Sequence, residues 1–119
     1  MNIESLREYC ISKKGVEECF PFDENTLVFK VMGKMFLLTD LIEDFKISVK
    51  CDPEKAIELR EQYSFVIPGY HLSKKHWNTI IMDEIVSDQL CIDWIDESYD
   101  LVRKSLTKKQ QSELENEKH

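Results

Sequence analysis

Between Val16 and Lys50 the apolar side chains change to a period of two, whereas those from Ile3 to Cys10 and from Ala56 to Tyr63 recur every third or fourth position. This change of period constrains the fold more than any other feature of the chain. Leu27, Phe29 and Val31 alternate with Val28, Lys30 and Met32, Gly33-Lys34 interrupts, and Met35 opens a second apolar run to Leu41. Phe45, Ile47 and Val49 then alternate with Lys46, Ser48 and Lys50. Successive strand residues point to opposite faces, so the pattern predicts an antiparallel meander that turns at Gly33, with one face in the core and lysines on the other.

Helices are expected on either side. Asn2 is a good N-cap for a short helix in which Ile3, Leu6 and Cys10 share a stripe, and Lys13-Lys14-Gly15 supplies its stop. Asp52-Pro53 is a cap followed by proline at the first helical position, and Ala56, Leu59, Arg60 and Tyr63 follow at helical spacing. Residues 64–82 return to β-type composition around the Pro68-Gly69 turn, giving two further strands, in the second of which Trp77, Thr79 and Ile81 share a face. Ser87 caps a long helix with Leu90, Cys91, Trp94, Ile95, Ser98, Leu101, Val102 and Leu106 in one stripe and Asp93, Asp96, Glu97 and Asp100 on the wet side. The expected architecture is therefore α+β in two layers: an antiparallel sheet with helices on one face, in the order helix, meander, helix, two strands, helix. Residues 1–106 form the single domain. Residues 107–119 contain one apolar side chain, Leu114, and are expected to be a frayed or disordered tail.

At 119 residues there is room for one core and no second domain. No apolar run approaches the roughly 18 residues that a membrane span needs, and the N-terminus lacks the basic flank and apolar core of a secretory signal, so the expected location is the cytoplasm. Cys10, Cys19, Cys51 and Cys91 form no C-x-x-C pair, which points to reduced thiols rather than a zinc or redox site. With only Gly15, Gly33 and Gly69, the chain has no phosphate-cradling loop. No cofactor or metal is expected.

Charge is unevenly placed. Residues 83–102 contain seven acids and no base, so the net charge of −7 belongs to that stretch, and outside it 16 acids face 16 bases. Residues 63–81, by contrast, contain no Asp or Glu. Within them Tyr70, His71, Lys74, Lys75, His76 and Asn78 make a candidate nucleic-acid surface, with cations suited to phosphates and rings that can stack on bases. Trp77 reads as core. The bland alternative is a hairpin whose aromatics pack inward and whose lysines solvate a turn. Lys34 at the first turn would add to the surface, and Lys30, Lys46 and Lys50 to a basic sheet face. Six lysine contacts to duplex DNA would give a salt slope near about −5. His71 and His76 are too few for a metal site, and Glu17-Glu18 and Asp23-Glu24 read as solvated edges.

The ordered series Glu17-Glu18-Cys19-Phe20-Pro21-Phe22-Asp23, Phe29-Lys30-Val31-Met32-Gly33-Lys34-Met35-Phe36, Ser48-Val49-Lys50-Cys51-Asp52-Pro53, Pro68-Gly69-Tyr70-His71-Leu72-Ser73-Lys74-Lys75-His76-Trp77-Asn78 and Ser98-Tyr99-Asp100-Leu101-Val102 closely resembles the MmcQ/YjbR family of small bacterial proteins. The resemblance spans residues 15–106. It implies a two-layer α/β fold of the secretion-chaperone type and a "double wing" DNA-binding role, with wings at the Gly33 turn and at the hairpin that holds Tyr70 and Trp77. The expectation is thus a non-enzymatic, monomeric, nucleic-acid-binding module, with DNA as the expected partner. A protein-interaction module using the open sheet or the acidic helix is the alternative, and an enzyme built on Cys19, His71 and His76 is a third.

Overall fold

The computed structural model describes residues 1–83 and 85–116. Helix α1 (Ile3–Ile11) leads into strands β1 (Val16–Cys19), β2 (Thr26–Val31), β3 (Lys34–Asp40) and β4 (Lys46–Lys50). Helix α2 (Pro53–Gln62), strands β5 (Val66–Pro68) and β6 (Trp77–Ile81), and helices α3 (Asp88–Lys104) and α4 (Lys108–Glu115) follow. The six strands form one sheet in the order β1-β2-β3-β4-β6-β5, and every neighbouring pair is antiparallel.

The predicted caps form as the sequence dictates. The Asn2 carboxamide oxygen accepts from the Ser5 amide in a capping box, Asp52 caps the Pro53 helix, and the Ser87 hydroxyl accepts from the Leu90 amide. The β2–β3 turn is Met32-Gly33, with φ of 49° and 83°, so both central residues are left-handed. A two-residue hairpin of this kind matches the twist of its strands, and glycine removes the steric cost at the second position.

Opposed residues in an antiparallel pair share a face. Leu27, Phe29, Leu37, Ile47, Val49, Ile80 and Val66 therefore line one side, where they form the main core with Leu6, Cys10, Trp94, Ile95 and Val102 of the helices. The register slips in β3 because Phe36 is an extra residue between Met35 and Leu37. Its ring lies edge-on to Tyr99 of α3 at 5.5 Å. Its carbonyl accepts from the fully buried Ser98 hydroxyl at 2.5 Å, and the Ser98 oxygen in turn accepts from the Lys50 amide at 2.8 Å. One hydroxyl of α3 thus ties together the two central strands.

The remainder of the sheet forms the open face. Val28, Leu38 and Trp77 make a second, smaller apolar cluster there, completed by Leu72, Cys19 and Met35. Trp77 is core, as its type suggests, but on the side away from the helices.

The expected disordered tail is corrected. Residues 108–115 are helical, Thr107 and Gln110 form a capping box, and Leu114 is 3% exposed within the main core. A single leucine at the right turn of an amphipathic helix suffices to dock it, which a count of apolar residues undervalued. Residues 117–119 of that predicted tail lie outside the described residues. Leu114→Ala is expected to destabilise the fold by about 2 kcal/mol, lowering the melting temperature by roughly 8 °C; an unchanged melting temperature would mean that α4 does not dock.

Burial holds the thiols neutral, pushing Cys10 up to about 12 and Cys91 up to about 11. Because the folded value exceeds the unfolded one, the native state keeps protons that the unfolded chain releases. Their contribution is complete below the ordinary thiol value of 9.0 and is lost as pH rises towards about 12. The urea midpoint should therefore fall between about pH 8 and about pH 10, and a flat profile would contradict buried, neutral thiols.

Candidate functional site

Unbroken antiparallel pairing fixes which connections lie together. Strands β2, β4 and β5 run towards one end of the sheet, here the upper end, and β1, β3 and β6 run away from it. The Met32-Gly33 turn and the β5–β6 connection, residues 69–76, both lie at the upper end, as two wings require. Connections there hold Lys13, Lys14, Lys74, Lys75, His71 and His76, with Asp52 as the one acid. Those at the lower end hold Asp23, Glu24, Glu43, Asp44 and Asp83, with no lysine or arginine among the described residues. Electrical polarity therefore runs along the strands, not simply from residues 83–102 to the rest.

The acidic stripe of α3 is largely consumed inside the molecule. Asp96 accepts from the Tyr9 hydroxyl and pairs with Lys13, Glu97 pairs with Lys55, and Asp88 pairs with the N-terminal ammonium.

The two turns differ in shape. The first is a tight hairpin, and Lys34 beside it is exposed, but its ammonium donates to the Ser105 carbonyl at 3.2 Å. That carbonyl ends α3, where the helix dipole favours a cation. The second connection does not project as a wing. Gly69 donates its amide to the Trp77 carbonyl, and a Cβ at Gly69 would stand 2.7 Å from the Trp77 Cβ, so only glycine lets the strands approach here. Tyr70 then donates its amide to the Thr79 hydroxyl at 2.9 Å, and Leu72 packs into the small cluster. The loop thus folds back over the open face. Ser73 accepts from the His76 and Trp77 amides in a helical turn that leaves Lys74, Lys75 and His76 exposed.

Arg60 of α2 holds this turn. Its Nε donates to the Asn78 side-chain oxygen at 2.7 Å, and its Nη2 donates to the Lys74 carbonyl. The Asn78 amide nitrogen donates to the Ala56 carbonyl at 3.2 Å, and Asn78 is 1% exposed. Asn78 is accordingly corrected from a nucleic-acid-binding side chain to a buried strut. Register shows why: Asn78 lies opposite Val49 and Pro68, on the helix face. Sequence reasoning missed Arg60, whose place among helical-stripe residues was its only signal.

Lys30, between Met35 and Glu17, and Lys50, opposite Trp77, lie on the open face towards the upper end. Lys46 is separated from them at the lower end, with its ammonium 5.8 Å from the centre of the Tyr70 ring. The basic surface is therefore Lys30, Lys50, Lys74 and Lys75, with His76. Lys34 and Lys46 have other engagements.

Tyr70 and His71 are exposed, with ring centres 4.0 Å apart, and His71 has a φ of 58°. A non-glycine residue in the left-handed region is costly and is held there by the contacts around it. Both side chains line a cleft of about 510 Å³ on the open face. Among the described residues, no three His, Cys, Asp or Glu side chains are grouped to hold a metal ion. No described helix is long and apolar enough to cross a membrane.

A single antiparallel sheet with its helices on one face, and an upper end gathering two turns and their lysines, defines a small two-layer α+β domain. The chain belongs to the YjbR family, whose model, described as YjbR, matches residues 11–101. It is 34% identical over 112 residues to the uncharacterized protein YbdF of Escherichia coli O157:H7, across 93% of this chain and 92% of that one. It is 35% identical over 100 residues to YjbR of Escherichia coli K12, covering 83% and 85% of the two chains. Among solved structures it is similar to Deinococcus radiodurans protein DR2400, with a TM-score of 0.88 and 42% identity over 95% of this chain and 87% of that one. A Pseudomonas syringae protein shares the fold, with a TM-score of 0.74 at 22% identity, covering 85% of this chain and 98% of that one.

Asn78→Ala removes the acceptor of the Arg60 Nε and the side-chain donor to the Ala56 carbonyl. It is expected to destabilise the protein by about 1–3 kcal/mol and to raise amide exchange at Lys74 and Lys75. Wild-type exchange in that turn would show that Arg60 does not hold it.

Proposed function

We propose that this protein binds nucleic acid, DNA in the first instance, through the upper end of its sheet. Lys30, Lys50, Lys74 and Lys75 contact phosphates, and His76 lies beside them. One observation carries the reading: antiparallel topology brings both turns to the end where lysines collect, while the carboxylates of the connections collect at the other. None of the four lysines is in an ion pair among the described residues.

Phosphates position a protein on DNA without specifying sequence. With Asn78 buried, the surface offers little to read a base edge, so binding is weak, salt-sensitive and nearly indifferent to sequence. Counterion release from four contacts gives a slope of log affinity against log salt near about −3.6 on duplex DNA. Fluorescence anisotropy with a short labelled duplex across a salt series measures it. The Lys74→Ala, Lys75→Ala double variant is expected to bind more weakly and to flatten the slope by about 2. Parental affinity and slope in that variant would refute the assignment.

A further inference from the structure

The cleft on the open face lies away from the proposed phosphate surface and has different chemistry. Its floor is Leu38 and the hydroxyls of Ser48 and Thr79, whose oxygens are 2.8 Å apart. Phe22, 62% exposed, and Tyr70, 59% exposed, line it with Leu72. Three carboxylates, Asp23, Asp40 and Glu43, stand against one ammonium, Lys46. At about 510 Å³ it is within the usual range of roughly 300–1,000 Å³ for small-ligand sites.

Asp23 and Asp40 are built in rather than scattered. Asp23 accepts from the Asn25 and Thr26 amides at 2.8 and 2.7 Å, which holds its carboxyl below the usual range. Asp40 accepts from the Ile42 and Glu43 amides at 2.8 and 3.1 Å. Backbone donors thus fix both carboxylates on the wall of a cleft that exposes two aromatic rings. Rings attract cations through their faces, and the protein already uses Tyr70 in this way for the Lys46 ammonium.

We infer that this cleft binds an organic cation, a guanidinium or ammonium group on an apolar stem. The stem lies along Phe22, Leu38 and Leu72, and the charged head meets the Tyr70 ring and the carboxylates of Asp40 and Glu43. Lys46 is the internal occupant with which the ligand competes.

Titration of the full chain with n-butylguanidinium, followed by amide shifts in ¹⁵N-correlated NMR spectra, tests this. Saturable shifts at Tyr70, His71 and Thr79 are expected, with a Kd on the order of 1 mM for so small a probe. Lys46→Met is expected to tighten binding roughly threefold or more by removing the competitor, and Tyr70→Ala to weaken it roughly three- to tenfold. Preserved spectra elsewhere confirm folding of each variant. A blocked Gly-Arg-Gly peptide distinguishes the sources of the cation: tighter binding than n-butylguanidinium assigns it to a peptide side chain, and equal or weaker binding to a free amine. Absence of saturable shifts overturns the inference, as does hexanoate binding more tightly than n-butylguanidinium or a loss of affinity in Lys46→Met.

Discussion

The uninterrupted antiparallel pairing of six strands is the constraint on which the rest of the molecule depends. Once each strand opposes its neighbours, every connection is assigned to one end of the sheet, and residues remote in sequence become neighbours without any specific contact between them. The lysines of the α1–β1 connection and of the β5–β6 loop share one end on this ground alone. So do the acids of the three loops at the other end. Net charge would have suggested an acidic protein with little affinity for phosphates. Directional segregation of charge along the strands leaves one end cationic in a molecule of net charge −7.

Much of the fold was legible in the sequence because local physics and tertiary structure agree over most of it. Asn2, Asp52 and Ser87 are caps by side-chain chemistry alone, and each starts a helix. Alternation from Leu27 onwards separated the two faces of β2 and β4, and the stripe through Trp94, Ser98 and Val102 identified the face that α3 buries. The failures arose where the deciding partner was distant. Strand β1 is only four residues long, with two glutamates and no clear alternation, so it never emerged as an element of its own. Leu114 docks a helix that composition had consigned to disorder, because one residue is invisible to an average.

At the site, residue type was a fair guide to charge but a poor guide to direction. Lysines 30, 46 and 50 do share the open face, as their phase dictates, yet the sheet places Lys46 at one end and the other two at the opposite end. Asn78 counted as part of the candidate surface because it ends the cation- and ring-rich run that starts at Pro68. One step of strand phase turns it inward to Arg60. No local pattern signalled that residues 69–76 would fold back, since that path rests on Leu72 packing into the cluster of Val28, Leu38 and Trp77. Folding back is also what creates the cleft: a loop that covers only part of an open face leaves a walled hollow beside it.

The two strands that border the sheet are its two shortest: β5 has three residues and closes on Pro68, which has no amide hydrogen to offer, and β1 has four, two of them glutamates. A neighbouring molecule seeking to extend the ladder would find too few free donors and acceptors at either margin. Growth by strand addition, the usual route from a small β-rich domain to fibres, is thereby disfavoured at both margins by length and residue choice.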